Sequence, residues 1–177
     1  MPSFNSNTVH GLSADVYVSS GAVRVFGDVV LATALEKLDL TANDEGNVNP
    51  VQVLRRGETV TVTVPLADAT GLATISGIVH PFATSVSGVS GVEVLLPKAQ
   101  PGDDYLSEAQ ELRLVLRDGS ATYIFPKAVV TEIGDLVMSE ENQMVQPVTF
   151  TCFRVSISGV ESPFKIISGT VVSGAGL

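Results

Sequence analysis

The chain has 177 residues, of which 45% are hydrophobic, so it is long enough to bury a core and too apolar to be disordered. Nineteen acidic residues against ten basic ones give a net charge of −9, which argues against capture of nucleic acid or of an anionic membrane. Only 16% of the residues are charged, a composition that suits a surface buried against neighbouring subunits but also a β-sandwich with Thr-rich exposed faces.

The cysteine and histidine content limits the chemistry that the chain can carry. Cys152 is the only cysteine and lies in an alternating run, so we expect a small buried side chain and no intrachain disulfide. His10 and His80 have no second ligand at zinc spacing. The first seven residues lack a basic region, and no stretch reaches about 18 continuous apolar residues. We therefore expect no secretory signal, no membrane anchor and folding in a cytoplasm.

The first half of the chain contains short runs rich in Val, Ile and Thr, which are typical of strands. Runs at 14–18 and 22–26 flank a Ser-Ser-Gly turn and predict a hairpin. Residues 41–57 are predicted to form a long polar loop, with a strand-like arm at 51–56. Strict alternation of Val and Thr over 58–64 predicts the clearest strand, which we expect Pro65 to end.

One helix is predicted in the middle of the chain. Apolar residues recur at helical spacing between residues 72 and 82, Asp68 or Thr70 can cap the start, and Pro81 closes the segment. Further strands are predicted at 111–117, 121–125, 127–133, 136–139, 145–157 and 164–172, before a loose C-terminal end at 173–177. The predicted fold is therefore mainly β: a single domain over 1–177, built as an antiparallel β-sandwich or barrel with one short flanking α-helix.

Motifs for catalysis or phosphate binding are not found in the sequence. The run at 88–92 comes closest to a Gly-x-Ser-x-Gly hydrolase turn, but Val92 occupies the second glycine position. Glycine-rich phosphate loops are missing, and the acidic pairs Asp103-Asp104 and Glu140-Glu141 lack the spacing of a calcium loop. We predict a protein that is not an enzyme and that carries no cofactor and no metal.

Several short motifs resemble those of phage major tail-tube proteins. In the second half these are 123–130 (Tyr-Ile-Phe-Pro-Lys-Ala-Val-Val), Gly134-Asp135 and 146–150 (Gln-Pro-Val-Thr-Phe). In the first half, residues 21–29 are followed by a long polar loop, and Gly57-Glu58 then leads into a strand, as in that family. Together these motifs span most of the chain.

The resemblance implies a structural virion protein. Six copies would close into a ring by joining their sheets around a lumen, and rings would stack along a tape-measure protein into a tube through which DNA passes. Sheath, baseplate and terminator proteins are the other expected partners, and the expected location is the virion tail, assembled in the host cytoplasm. A tail terminator or a secretion-tube component of the same fold is an alternative, as is a monomeric ligand-binding β-sandwich.

Two groups of residues are candidates for function under this interpretation. The polar loop would make the contacts between stacked rings, through Asn43, Asp44, Glu45, Asn47, Arg55 and Arg56. Acids on predicted strands would face the lumen and repel phosphate, namely Glu36, Asp39 and Glu132. Ordinary solvated strand faces explain these three acids equally well.

Overall fold

A computed structural model describes residues 7–19, 21–40, 52–67, 84–87, 93–96, 104–135 and 145–171. These residues contain a 3₁₀ helix, Tyr105–Glu108, and thirteen strands. The strands are β1 Asn7–Leu12, β2 Ala14–Val18, β3 Gly21–Val23, β4 Val29–Leu40, β5 Gln52–Leu66, β6 Thr84–Ser87, β7 Glu93–Leu96, β8 Gln110–Leu116, β9 Ala121–Ile133, β10 Gln146–Cys152, β11 Val155–Ile157, β12 Val160–Ser162 and β13 Lys165–Ser168.

Nine of these strands form one antiparallel sheet. Its order is β1-β4-β5-β10-β9-β8-β2-β3, and β13 pairs with the first part of β9. The sheet folds back on itself, because Val25 forms a bridge with Leu66 and the N–H of Phe26 donates to the carbonyl oxygen of Pro65 at 3.1 Å. This single bridge does not close the sheet into a barrel. The β6–β7 and β11–β12 hairpins form two small separate sheets.

The core lies between the two halves of the folded sheet. Val60, Val62 and Val64 of β5 are all fully buried and belong to one apolar cluster with Val148 and Phe150 of β10. The same cluster contains residues from the opposite half, on β2 and β8: Ala14, Val16, Val18, Leu112 and Leu114. Full burial of each such side chain contributes about 1.5–3 kcal/mol. The predicted mainly-β antiparallel sandwich is therefore confirmed.

The long strand β5 joins two predicted segments and continues past its predicted end. It begins at Gln52, so the strand-like arm predicted at 51–56, within the polar loop, forms the first part of β5. It also continues through Pro65, where the sequence predicted its end. Pro65 lies directly opposite Pro147 of β10. Opposite residues in an antiparallel ladder exchange either both hydrogen bonds or neither, so two prolines can face each other where neither is required.

Other strand boundaries also differ. The predicted pair 121–125 and 127–133 is one strand, β9, with Pro126 inside it. The predicted strand 145–157 is divided into β10, which ends at Cys152, and β11, which begins at Val155. The N–H of Phe153 still donates to the carbonyl oxygen of Lys127, one position beyond the last register pair of β10 with β9. The hairpin of β2 and β3 is confirmed. The predicted helix at 72–82, the strand at 136–139 and the end at 173–177 lie outside the described residues.

Candidate assembly surface

The β4–β5 hairpin projects beyond the strands that flank it. On one side β1 supports β4 only as far as Ala34, and on the other side β10 supports β5 only as far as Val60. Beyond these points, among the strands that the structure describes, β4 and β5 pair only with each other, up to the pair Leu40–Gln52. The projecting part, defined here as the arm, comprises residues 35–40 and 52–59. At about 3.3 Å per residue its β4 side spans roughly 20 Å.

The arm places two basic residues directly opposite each other. Lys37 of β4 is the register partner of Arg55 of β5, and Arg56 is the next residue along the chain. Like charges at opposite positions destabilise a strand pair by a few tenths of a kcal/mol or more. Lys37 is exposed and has no carboxylate partner among the described residues. The arm as a whole is neutral in sequence, with three acids and three bases, but Lys37 is an exposed base that the described parts of its own subunit do not pair.

Three arginines in the described parts are paired with acids. Arg117 and Asp15 are joined by a 3.0 Å contact between Nε and Oδ1, and Arg113 donates to Glu111 two positions away. A third pair, Arg154 with Glu58, is looser, with 3.5 Å between Nη2 and Oε2. Lys37, like Lys127 and Lys165, makes no ion pair with a described residue, and its exposed position on the arm leaves it accessible to an acid from another chain.

The outward side of the neighbouring strands is lined by small side chains. Because Val60, Val62 and Val64 point into the core, the alternate residues of β5 point outward. The register places the outward residues of β4 and β10 beside them. We define the threonine face as Val30, Ala32, Ala34, Thr59, Thr61, Thr63, Thr149 and Thr151, with Thr131 and Glu132 of β9 at its edge.

Hydroxyl groups on the threonine face bond to each other. The Oγ1 atoms of Thr63 and Thr149 are 3.0 Å apart, and those of Thr131 and Thr151 are 2.8 Å apart. These bonds satisfy groups that would otherwise bind water or ligand. Lys127, at the bend of β9, lies beyond the end of the face. The threonine face therefore presents small side chains, with methyl groups and hydroxyl groups that bond to each other, and its defined members include no basic residue.

Two of the three acids predicted to face the lumen lie at opposite ends of the threonine face. Glu36 lies opposite Gly57 at the arm end of the threonine face, and Glu132 lies opposite Thr149 at its other end. Both are exposed. Asp39 lies in the same strand as Glu36, opposite Val53 within the arm. A lumen-facing role for the three acids stays a prediction.

The loop residues predicted to contact the next ring are only partly covered by the structure. Asn43, Asp44, Glu45 and Asn47 lie outside the described residues. Arg55 and Arg56 lie in β5, within the arm. The edge strand β1 was not predicted, because its run Asn-Thr-Val-His-Gly-Leu lacks a clear alternation of polar and apolar residues.

The described residues do not form a metal centre. No three His, Cys, Asp or Glu side chains among them are grouped in a way that could hold a metal. Burial raises the pKa of the Cys152 thiol from 9.0 to about 12, which disfavours the reactive thiolate.

None of the helices in the described ranges is long and apolar enough to cross a membrane. The sequence matches no protein-family model and no curated protein.

Proposed function

We propose that this chain is a structural subunit that closes with copies of itself into hexameric rings, and that these rings stack into the tail tube of a phage. The observation that carries the proposal is the arm, a two-stranded ribbon that leaves the sheet without support from any other described strand. An isolated two-stranded ribbon is marginally stable in water, and its unpaired edges invite pairing with another chain. A second copy of the subunit is the partner that satisfies both requirements.

Charge supports the same partner. The subunit has a net charge of −9, and Lys37 of the arm is exposed without a carboxylate partner in the described parts. An acidic group on a neighbouring copy would give Lys37 a partner of opposite charge. A head-to-tail contact of this kind repeats from copy to copy, and therefore closes into rings or extends into filaments.

The composition of the threonine face supports the proposed role in DNA passage. A wall that holds DNA by its phosphates needs Lys or Arg side chains. The threonine face instead has small uncharged side chains with Glu36 and Glu132 at its two ends. A lumen lined by this face would leave phosphates unbound and repelled, so DNA could move through it.

The arm can be removed without disturbing the rest of the sheet. Glu36 and Gly57 are directly opposite, so replacing residues 37–56 by Asn-Gly joins them through a two-residue hairpin turn. The matched control replaces only residues 41–51 by Asn-Gly, which joins the opposite pair Leu40 and Gln52 and keeps the arm. The two variants therefore separate the arm from the loop at its tip.

Sedimentation velocity and negative-stain microscopy over a range of protein concentrations give the readout. We expect stacked tubes of uniform bore from the wild type and none from the variant without the arm, with circular dichroism showing an intact β fold in both. Loss of tubes in the loop-only variant would assign stacking to residues 41–51. Single rings from the wild type would indicate a tail terminator, and a strictly monomeric wild type would contradict the proposal.

A further inference from the structure

One extra residue interrupts the hairpin where the arm begins. Glu36 pairs with Gly57 and the next residue of β4, Lys37, pairs with Arg55, so Arg56 has no register partner. This arrangement is a β-bulge, which bends the strand and increases its twist. The support from β1 and β10 ends at Ala34 and Val60, two and three residues away. The bend therefore lies where the hairpin leaves the sheet.

The residues around the bulge are packed against each other. A Cβ atom placed on Gly57 would lie 3.4 Å from Oε2 and 3.7 Å from Cδ of Glu36, so the carboxylate lies across the backbone of the glycine. Beyond the bulge the ladder is regular again, over the four pairs from Lys37–Arg55 to Leu40–Gln52. The bend is thus a single point between two regular ladders.

We propose that this bulge fixes the direction in which the arm leaves the sheet, and that self-assembly with a second copy requires that direction. The inference rests on the proposed function, because it assigns the arm a docking role. The tip of the regular ladder is four residues beyond the bulge, or roughly 13 Å. A change of about 20° in direction would move it by roughly 4–5 Å, close to one strand spacing, which is enough to lose a strand-to-strand contact.

The bulge can be removed while every cross-strand pair is kept. Deleting Arg56 makes the pairs Glu36–Gly57 and Lys37–Arg55 consecutive, with the alternation of faces unchanged. In a second variant, one alanine is inserted between Glu36 and Lys37. The alanine gives Arg56 a cross-strand partner and thereby removes the bulge. The part of the arm between the bulge and the tip then presents its side chains on the opposite sides of the ribbon. The matched control is Arg56→Ala, which keeps the bulge and removes only the charge.

Assembly is measured first by sedimentation and electron microscopy. For both bulge-free variants we expect an unchanged far-ultraviolet spectrum and a critical concentration for assembly raised about tenfold or more, while Arg56→Ala assembles like the wild type. If deletion of Arg56 prevents folding, the alanine insertion alone gives the test. Normal tubes from a folded bulge-free variant would overturn the inference and leave the tube proposal intact. Failure of Arg56→Ala to assemble would overturn it in favour of a charge effect.

The direction of the arm is measured separately on the unassembled subunit. Spin labels on Lys37→Cys and Asp135→Cys report the distance between the arm and the sheet, and both positions are exposed. The native Cys152 is only 6% exposed, so labels are directed to the introduced thiols. We expect the distance distribution to shift in the variant lacking Arg56 and to stay unchanged in Arg56→Ala. An unchanged distribution would overturn the inference, and a wild type that never assembles would overturn both proposals.

Discussion

Thr63 of β5 and Thr149 of β10 lie directly opposite each other on the threonine face, and their hydroxyl oxygens are 3.0 Å apart. Both side chains are half-buried. Cross-strand pairs of this kind stabilise a sheet by about 0.2–1 kcal/mol. One of the two hydroxyls donates to the other, so one donor of the pair is occupied within the face itself and does not require water or a ligand.

The pair predicts a non-additive response to mutation. Thr63→Val or Thr149→Val alone should lower the free energy of unfolding by about 1 kcal/mol, because each leaves one half-buried hydroxyl without its partner. The double variant should cost less than the sum, since both hydroxyls are then gone and two valines suit a strand. Urea unfolding of the four proteins measures the coupling. Strict additivity would show that the hydroxyl contact contributes nothing to stability.

Gly134 is predicted to tolerate no side chain. Its N–H donates to the carbonyl oxygen of Pro147 at 2.8 Å, and a Cβ at this position would lie only 2.4 Å from Cγ of the proline ring. We expect Gly134→Ala to destabilise the fold by about 1–3 kcal/mol through overpacking. Adding Pro147→Ala should restore part of that loss, with Pro147→Ala alone as the control. If Gly134→Ala unfolds at the wild-type urea concentration, the close approach of Gly134 and Pro147 is not present in solution.

The sequence predicted which side chains of the sheet are buried better than it predicted how the strands pair. Alternation of Val and Thr over 58–64 predicted which residues of β5 are buried, because side chains on a strand alternate with a period of two. The extra residue at Arg56 could not be predicted, because a bulge is defined by the count of residues on both strands of a pair.

Pro65 and Pro126 show a second limit of the sequence. Each was expected to end a strand, yet both lie inside long strands, β5 and β9. A proline removes one donor, and whether that donor is needed depends on the partner strand. Pro65 faces Pro147, which lies 82 positions further along the chain, so no local pattern could reveal that the position is tolerated.

The thiol of Cys152 is predicted to make stability depend on pH in the alkaline range. Burial raises its pKa from 9.0 to about 12, so between these values the unfolded chain loses a proton that the folded chain retains. Stability from this group is therefore complete below pH 9 and falls as pH rises toward 12, by at most about 1.4 kcal/mol per pH unit. Unfolding of the wild type and of Cys152→Ala over this range isolates the effect. Parallel pH profiles would contradict it.

The acids at the two ends of the threonine face are predicted to keep DNA from binding to the assembled protein. Replacing both Glu36 and Glu132 by Lys removes two negative and adds two positive charges, a net change of +4, on a face that otherwise has no basic residue among its defined members. We expect tubes of this variant to retain short duplex DNA roughly tenfold more than wild-type tubes at low salt, and to release it as salt is raised. The matched control carries Asp135→Lys and Glu161→Lys, which changes the charge equally at exposed positions off the face. Co-sedimentation of DNA with tubes, after microscopy has shown that both variants assemble, gives the measurement. Equal retention by the control would mean that total charge, and not the position of Glu36 and Glu132, governs contact with DNA.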